Sequence, residues 1–153
     1  MAIPAPGVSL EYDKLILLDA EDLAEQGIVA AYEKLLPELR KYADRLSRIE
    51  EAINTDLPSY AVHFNGKVYV IYSAGLEGTG AESWGRATHA LFAIVNEQLK
   101  ETNVRFYAIN GGNDLGGIFL APEQAHAAQA GLARKSDWPY FPDLNGPYYG
   151  QYH

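Results

Sequence analysis

Two short apolar runs, Tyr60 to Phe64 and Lys67 to Tyr72, are separated by Asn65-Gly66 alone. A two-residue connection between antiparallel strands favours a type I′ turn, in which both central residues take positive φ, and Asn-Gly is the pair that tolerates this best. The stretch therefore predicts a β-hairpin. Alternation places Tyr60, Val62, Phe64, Tyr69 and Ile71 on one face and Ala61, His63, Val68, Val70 and Tyr72 on the other. Both sets are mostly apolar, which predicts a hairpin set inside a larger sheet.

Val104 to Ile109 and Leu115 to Leu120 predict a second hairpin through Asn110-Gly111-Gly112-Asn113-Asp114. Gly116 and Gly117 in the return strand imply a bulge or a close backbone approach, because glycine leaves no side chain to pack. Leu15 to Leu18 fits either a short strand or the entry to a first helix. Asp19 or Asp22 is a suitable N-cap, and Gly27 and Pro37 divide the helical stretch beyond it into two pieces with a break before Pro37. Past the proline, Leu39, Tyr42, Ala43, Leu46, Ile49 and Ile53 recur at steps of three and four, the stripe of a long amphipathic helix. A glycine-rich connection, Ser73 to Gly85, reads as a flexible loop into a helix marked by Trp84, Ala87, Leu91 and Leu99. Pro122 fits the first turn of a last helix.

The order is then α-α-β-β-α-β-β-α. It describes an α+β domain spanning residues 1–153, in which two hairpins form one antiparallel or mixed four-stranded sheet packed with about four helices. The tail 136–153 holds Trp138, Tyr140, Phe141 and three further tyrosines among three prolines. It reads as a non-helical strap, packed on its own core or offered as an aromatic anchor to a partner.

Chemistry is sparse. With no cysteine, disulfides, thiolate metal sites and cysteine nucleophiles are excluded. His63, His89, His126 and His153 lie too far apart to match a spaced metal-ligand motif. Ala81-Glu82-Ser83-Trp84-Gly85 lacks the first glycine of a G-x-S-x-G elbow. Glu77 and Glu82 would repel an anion from the glycine-rich loop, where Arg86 is the one cationic candidate. Asp114 is the best isolated carboxylate for acid–base work, although aspartate is also a common turn residue. No cofactor is expected.

Charge is the most distinctive feature. The net charge is −8, and residues 1–57 carry 12 acidic and 6 basic side chains. Six of those acids, Glu11, Asp13, Asp19, Glu21, Asp22 and Glu25, fall in the first 25 residues. Such a balance disfavours nucleic acid and anionic lipid as partners and suits a basic macromolecule. Met1 to Gly7 has no basic or apolar leader, and no stretch reaches the roughly 20 apolar residues of a membrane span, so a cytoplasmic protein is expected.

The run Ile118-Phe119-Leu120-Ala121-Pro122-Glu123-Gln124-Ala125, followed by Arg134-Lys135-Ser136-Asp137-Trp138-Pro139-Tyr140, resembles the strand, P-E-Q-A helix start and D-W-P-Y close of small immunity proteins encoded with bacterial polymorphic or type VI effector toxins. That resemblance implies a small, cytoplasmic, non-enzymatic inhibitor that covers the active site of a cognate toxin. No functional residue carries over from it. The candidate partner-binding residues come from charge and aromaticity: the six early acids, Asn113 and Asp114 in the second hairpin's turn, and Trp138 and Tyr140. Two other readings stay open. One is a small enzyme or ligand-binding domain using Asp114, His63 or Arg86 in a pocket between sheet and helices; the other is a nucleic-acid mimic that blocks a DNA-binding protein.

Overall fold

The computed structural model describes residues 14–56, 59–73, 80–110, 112–132 and 138–142. In chain order its elements are β1 (Ile16–Leu17), α1 (Ala20–Glu25), α2 (Ile28–Leu39), β2 (Glu50–Asn54), β3 (Ser59–Phe64), β4 (Lys67–Tyr72), α3 (Gly80–Leu99), β5 (Arg105–Ile109), β6 (Gly116–Leu120) and α4 (Pro122–Gly131), with a 3-10 turn at Gly112–Asp114. The fold is α+β and both hairpins form. The single four-stranded sheet does not: among the described residues there are two three-stranded antiparallel sheets, β1-β6-β5 and β2-β3-β4. Each hairpin has recruited a third strand.

The recruit to the β3–β4 hairpin overturns the long helix expected from Leu39 to Ile53. Helix α2 ends at Leu39, where the Arg40 N–H closes on the Leu36 carbonyl at 2.9 Å. Ala43 is buried and Leu46 and Ile49 pack on the core, but from irregular chain. Glu50–Asn54 then pairs with β3, from Glu50 opposite His63 to Asn54 opposite Ser59. A free strand edge offers a whole ladder of hydrogen bonds, and that tertiary gain overrides a weak local helical preference. The expected break before Pro37 falls instead at Gly27. Pro37 sits inside the last turn of α2, where the carbonyl it leaves unserved belongs to exposed Glu33.

Asn65 and Gly66 both take positive φ, 48° and 79°, as the type I′ turn requires. The hairpin is not interior, however. Strand β4 is an edge, and although Tyr60, Val62, Phe64 and Ile71 are buried, Val68 and Val70 are 55% and 44% exposed. One face of this sheet joins the core and the other stays open.

Gly27 fastens this sheet to the helices. Its φ of 106° suits glycine, and an added Cβ would come within 2.9 Å of Glu51 Oε2. Alongside, the Ile28 N–H at the start of α2 donates to the Tyr60 hydroxyl at 2.7 Å, and that hydroxyl donates to Glu51 Oε2. Burial, reinforced by the Glu51 hydrogen bond, raises the Tyr60 pKa, so the phenol stays a protonated bridge. Tyr60→Phe leaves a buried N–H without its acceptor. We expect a loss of about 2 kcal/mol in urea unfolding at unchanged m-value. A loss below about 0.5 kcal/mol would show the bridge to be incidental.

The second sheet is packed on both faces. Phe106 and Ala108 face the main core with α1, α2 and α3, while Tyr107, Ile109, Ile118 and Leu120 form a smaller cluster with Ala125 and Ala128 of α4. Phe106 is held between Phe92 and Phe119, each at a ring-centroid distance of 4.6 Å. Gly117 is the close approach anticipated from sequence: a Cβ there would overlap the Phe106 ring.

The outer edge of β5 is closed by two devices. Tyr140 pairs with Ala108 through reciprocal backbone bonds of 2.8 and 2.9 Å. The antiparallel register would next set Pro142 opposite Phe106, and proline has no N–H to donate. The Asn96 carboxamide of α3 serves there instead, accepting from the Phe106 N–H at 2.7 Å and donating to its carbonyl at 2.9 Å. An open edge that invites strand addition is thereby sealed.

Candidate functional site

Helix α1 starts at Asp19, whose Oδ1 accepts the Glu21 N–H at 3.0 Å. Glu21 and Asp22 come next in the first turn, where the positive end of the helix dipole offsets part of their mutual repulsion. Asp22 and Glu25 are exposed and Asp19 and Glu21 half-buried. The Glu21 carboxyl is raised above the usual carboxylate range, first by desolvation and then by the negative charges of Glu25, Asp19 and Asp22. These carboxylates are close enough to repel one another.

The pairing of β1 with β6 brings the far hairpin's turn to this helix. Leu18 and Asp19 N–H groups both donate to the Leu115 carbonyl, and Asn113 Nδ2 donates to the same Asp19 Oδ1 at 3.0 Å across 94 residues of sequence. Asp114 stands exposed beside Asn113. The result is one acidic surface built from Asp19, Glu21, Asp22, Glu25, Asn113 and Asp114. Leu17, 66% exposed, sits at its margin, and Lys34 reaches the Leu17 carbonyl at 2.8 Å. No sequence pattern marks Leu17 or Lys34 for this place. Glu11 and Asp13 lie outside the described residues.

Trp138 and Tyr140 belong to a different place. The indole N–H of Trp138 donates to the Leu132 carbonyl at 2.9 Å, and the Tyr140 hydroxyl to the Asn110 carbonyl at 2.6 Å. Tyr140 is 8% exposed and is a strand partner of β5, so in this arrangement it packs on its own core and its neighbour Phe141 is the exposed ring. The rest of the strap, 136–137 and 143–153, lies outside the described residues, as do 133–135 and the loop 74–79.

The polar trio of the enzyme reading does not converge. His63 is exposed on the open face of β3, Asp114 lies beside α1, and the Arg86 Nε donates to the Ile71 carbonyl at 2.6 Å. Gly80 and Gly85 of the glycine-rich stretch are in α3. Arg105 places its guanidinium on the carbonyls of Leu99, Thr102 and Val104 at 2.7, 2.8 and 2.7 Å, a cation at the end of α3 that holds the turn into β5. Among the described residues no group of acids and histidines is arranged to hold a metal ion, and no helix is long and apolar enough to cross a membrane. Comparison with known protein families, with curated proteins and with solved structures finds no match.

Proposed function

We propose that this chain is an immunity-type inhibitor that binds a cognate bacterial toxin domain and covers its working surface through the α1 and Gly112–Asp114 acids. The observation that carries the reading is the Asp19–Asn113 bond, which brings the one acid of the far hairpin's turn, Asp114, beside the acids of α1. A negative surface of this kind accelerates encounter with a basic partner and disfavours wrong ones. Leu17, apolar and exposed at the margin, supplies the desolvated contact that a purely electrostatic encounter lacks and that slows dissociation. No cofactor and no catalytic residue enters this reading.

Affinity capture from the native cell lysate tests it. The expected product is a protein with a basic toxin domain, retained at low salt, released at high salt, and inhibited in its own activity when the purified chain is added back. Retention of a nucleic-acid-binding protein that duplex DNA displaces would replace the reading with nucleic-acid mimicry.

A further inference from the structure

A cavity of about 430 Å³ lies between β5, α4 and the segment 138–142. Its walls include the rings of Tyr107, Trp138, Tyr140 and Phe141, with His126 and Gln129 of α4 contributing polar edges. The volume is in the range that holds small ligands, about 300–1,000 Å³, and aromatic walls with few polar groups are what such sites present.

Most of the polar groups around it already serve the fold. Trp138 and Tyr140 donate to backbone carbonyls, and Gln129 Nε2 donates to the Pro139 carbonyl at 2.6 Å, which fixes α4 against the strap. Tyr107 is different. It is 6% exposed, its ring stacks on Phe141 at 4.6 Å and 20°, and among the described residues its hydroxyl has no hydrogen-bond partner. No side-chain oxygen among the described residues is both sealed from solvent and unpaired, so this hydroxyl is left to the solvent of the cavity. A phenol whose surroundings are mostly apolar is poorly hydrated, and a ligand acceptor would supply the bond that its neighbours do not. Burial raises its pKa, so the hydroxyl remains a neutral donor. The two charges that act on it, Arg105 and Glu123, oppose each other, and the Arg105 guanidinium is held by backbone carbonyls. Among the described residues no Asp, Glu, Lys or Arg lines the cavity, so neither sign of ligand charge is favoured.

We propose that this cavity binds a neutral, planar aromatic molecule of one or two fused rings, stacked among the strap and β5 rings, whose acceptor atom takes the Tyr107 hydroxyl hydrogen bond. The site is separate from the acidic surface and independent of the inhibitor reading.

Quinoline, with a ring nitrogen, and naphthalene, of the same shape without one, are the probes. In an NMR titration of the labelled full chain, quinoline should give saturable shifts at Tyr107, Gln129 and the Trp138 indole N–H. Tyr107→Phe should weaken quinoline roughly five- to tenfold, the worth of one hydrogen bond, and leave naphthalene unchanged. Among the described residues it removes no hydrogen bond, so the fold should persist. Phe141→Ala, which removes the half-exposed ring stacked on Tyr107, should reduce binding of both probes. Shifts that fail to saturate, shifts on other surfaces, or equal quinoline affinity for Tyr107→Phe would each overturn the proposal.

Discussion

Replacing Gly117 by alanine should cost about 3 kcal/mol, near the top of the usual range for overpacking a core, and lower the melting temperature by roughly 6–12 °C. The added methyl would overlap the Phe106 ring, and that ring has nowhere to go. Phe92 and Phe119 hold it on both sides, and it is fully buried. The clash belongs to one pair of residues, so it should couple. In a Phe106→Leu background, where the side chain ends short of the new methyl, Gly117→Ala should add less than about 1 kcal/mol. Equal costs in the two backgrounds would place the strain elsewhere in β6.

Asn96→Ala should be comparably damaging, by about 3 kcal/mol, for a different reason. It removes the partner of both the N–H and the carbonyl of Phe106, at a strand edge where Pro142, which has no N–H, is unable to serve the carbonyl. Each unpaired buried group costs roughly 1–3 kcal/mol, and water reaching the opened edge recovers part of the sum. The direct reading is hydrogen exchange: the Phe106 amide should change from among the most protected to readily exchanging, while Tyr107, paired with Ile118 on the inner side, keeps its protection. The opened edge should also raise the tendency to self-associate. A loss below about 1 kcal/mol with Phe106 still protected would mean that the carboxamide is not the seal.

Both predictions concern features that local sequence only half announces. The Asn65-Gly66 hairpin is legible because a type I′ turn makes its demand within two residues, and Gly116-Gly117 is legible because glycine in a strand implies a close neighbour. Phe106 as that neighbour is not, since the contact depends on how β5 and β6 align. The same limit explains β2. Leu46 and Ile49 contact the core at helical spacing, yet the chain that carries them is irregular, and the free edge of β3 decides what Glu50–Asn54 becomes. β1 is two residues long and exists through its pairing with Gly116 and Gly117.

The candidate site divides in the same way. A run of acids is visible in any reading of residues 11–25, and a helix cap at Asp19 or Asp22 follows from position, Asp19 being the one the structure uses. That Asn113 and Asp114 would join them depends on the β1–β6 pairing, which no local pattern encodes. The aromatic tail is legible as something that must pack. Its role at 138–142 as a one-residue strand on β5 turns on Tyr140 meeting Ala108 and Pro142 falling opposite Phe106.

We propose that the assembled acids act as one electrostatic surface toward a basic protein. The most direct test is the association rate of the captured partner with the native chain and with a variant carrying Asp22→Lys, Glu25→Lys and Asp114→Lys, all at exposed positions, measured across a series of salt concentrations. Association should be at least about tenfold slower for the variant at low salt, with the two rates converging as salt screens the charges. Equal rates and equal salt dependence would contradict it, and would remove this surface from the mechanism.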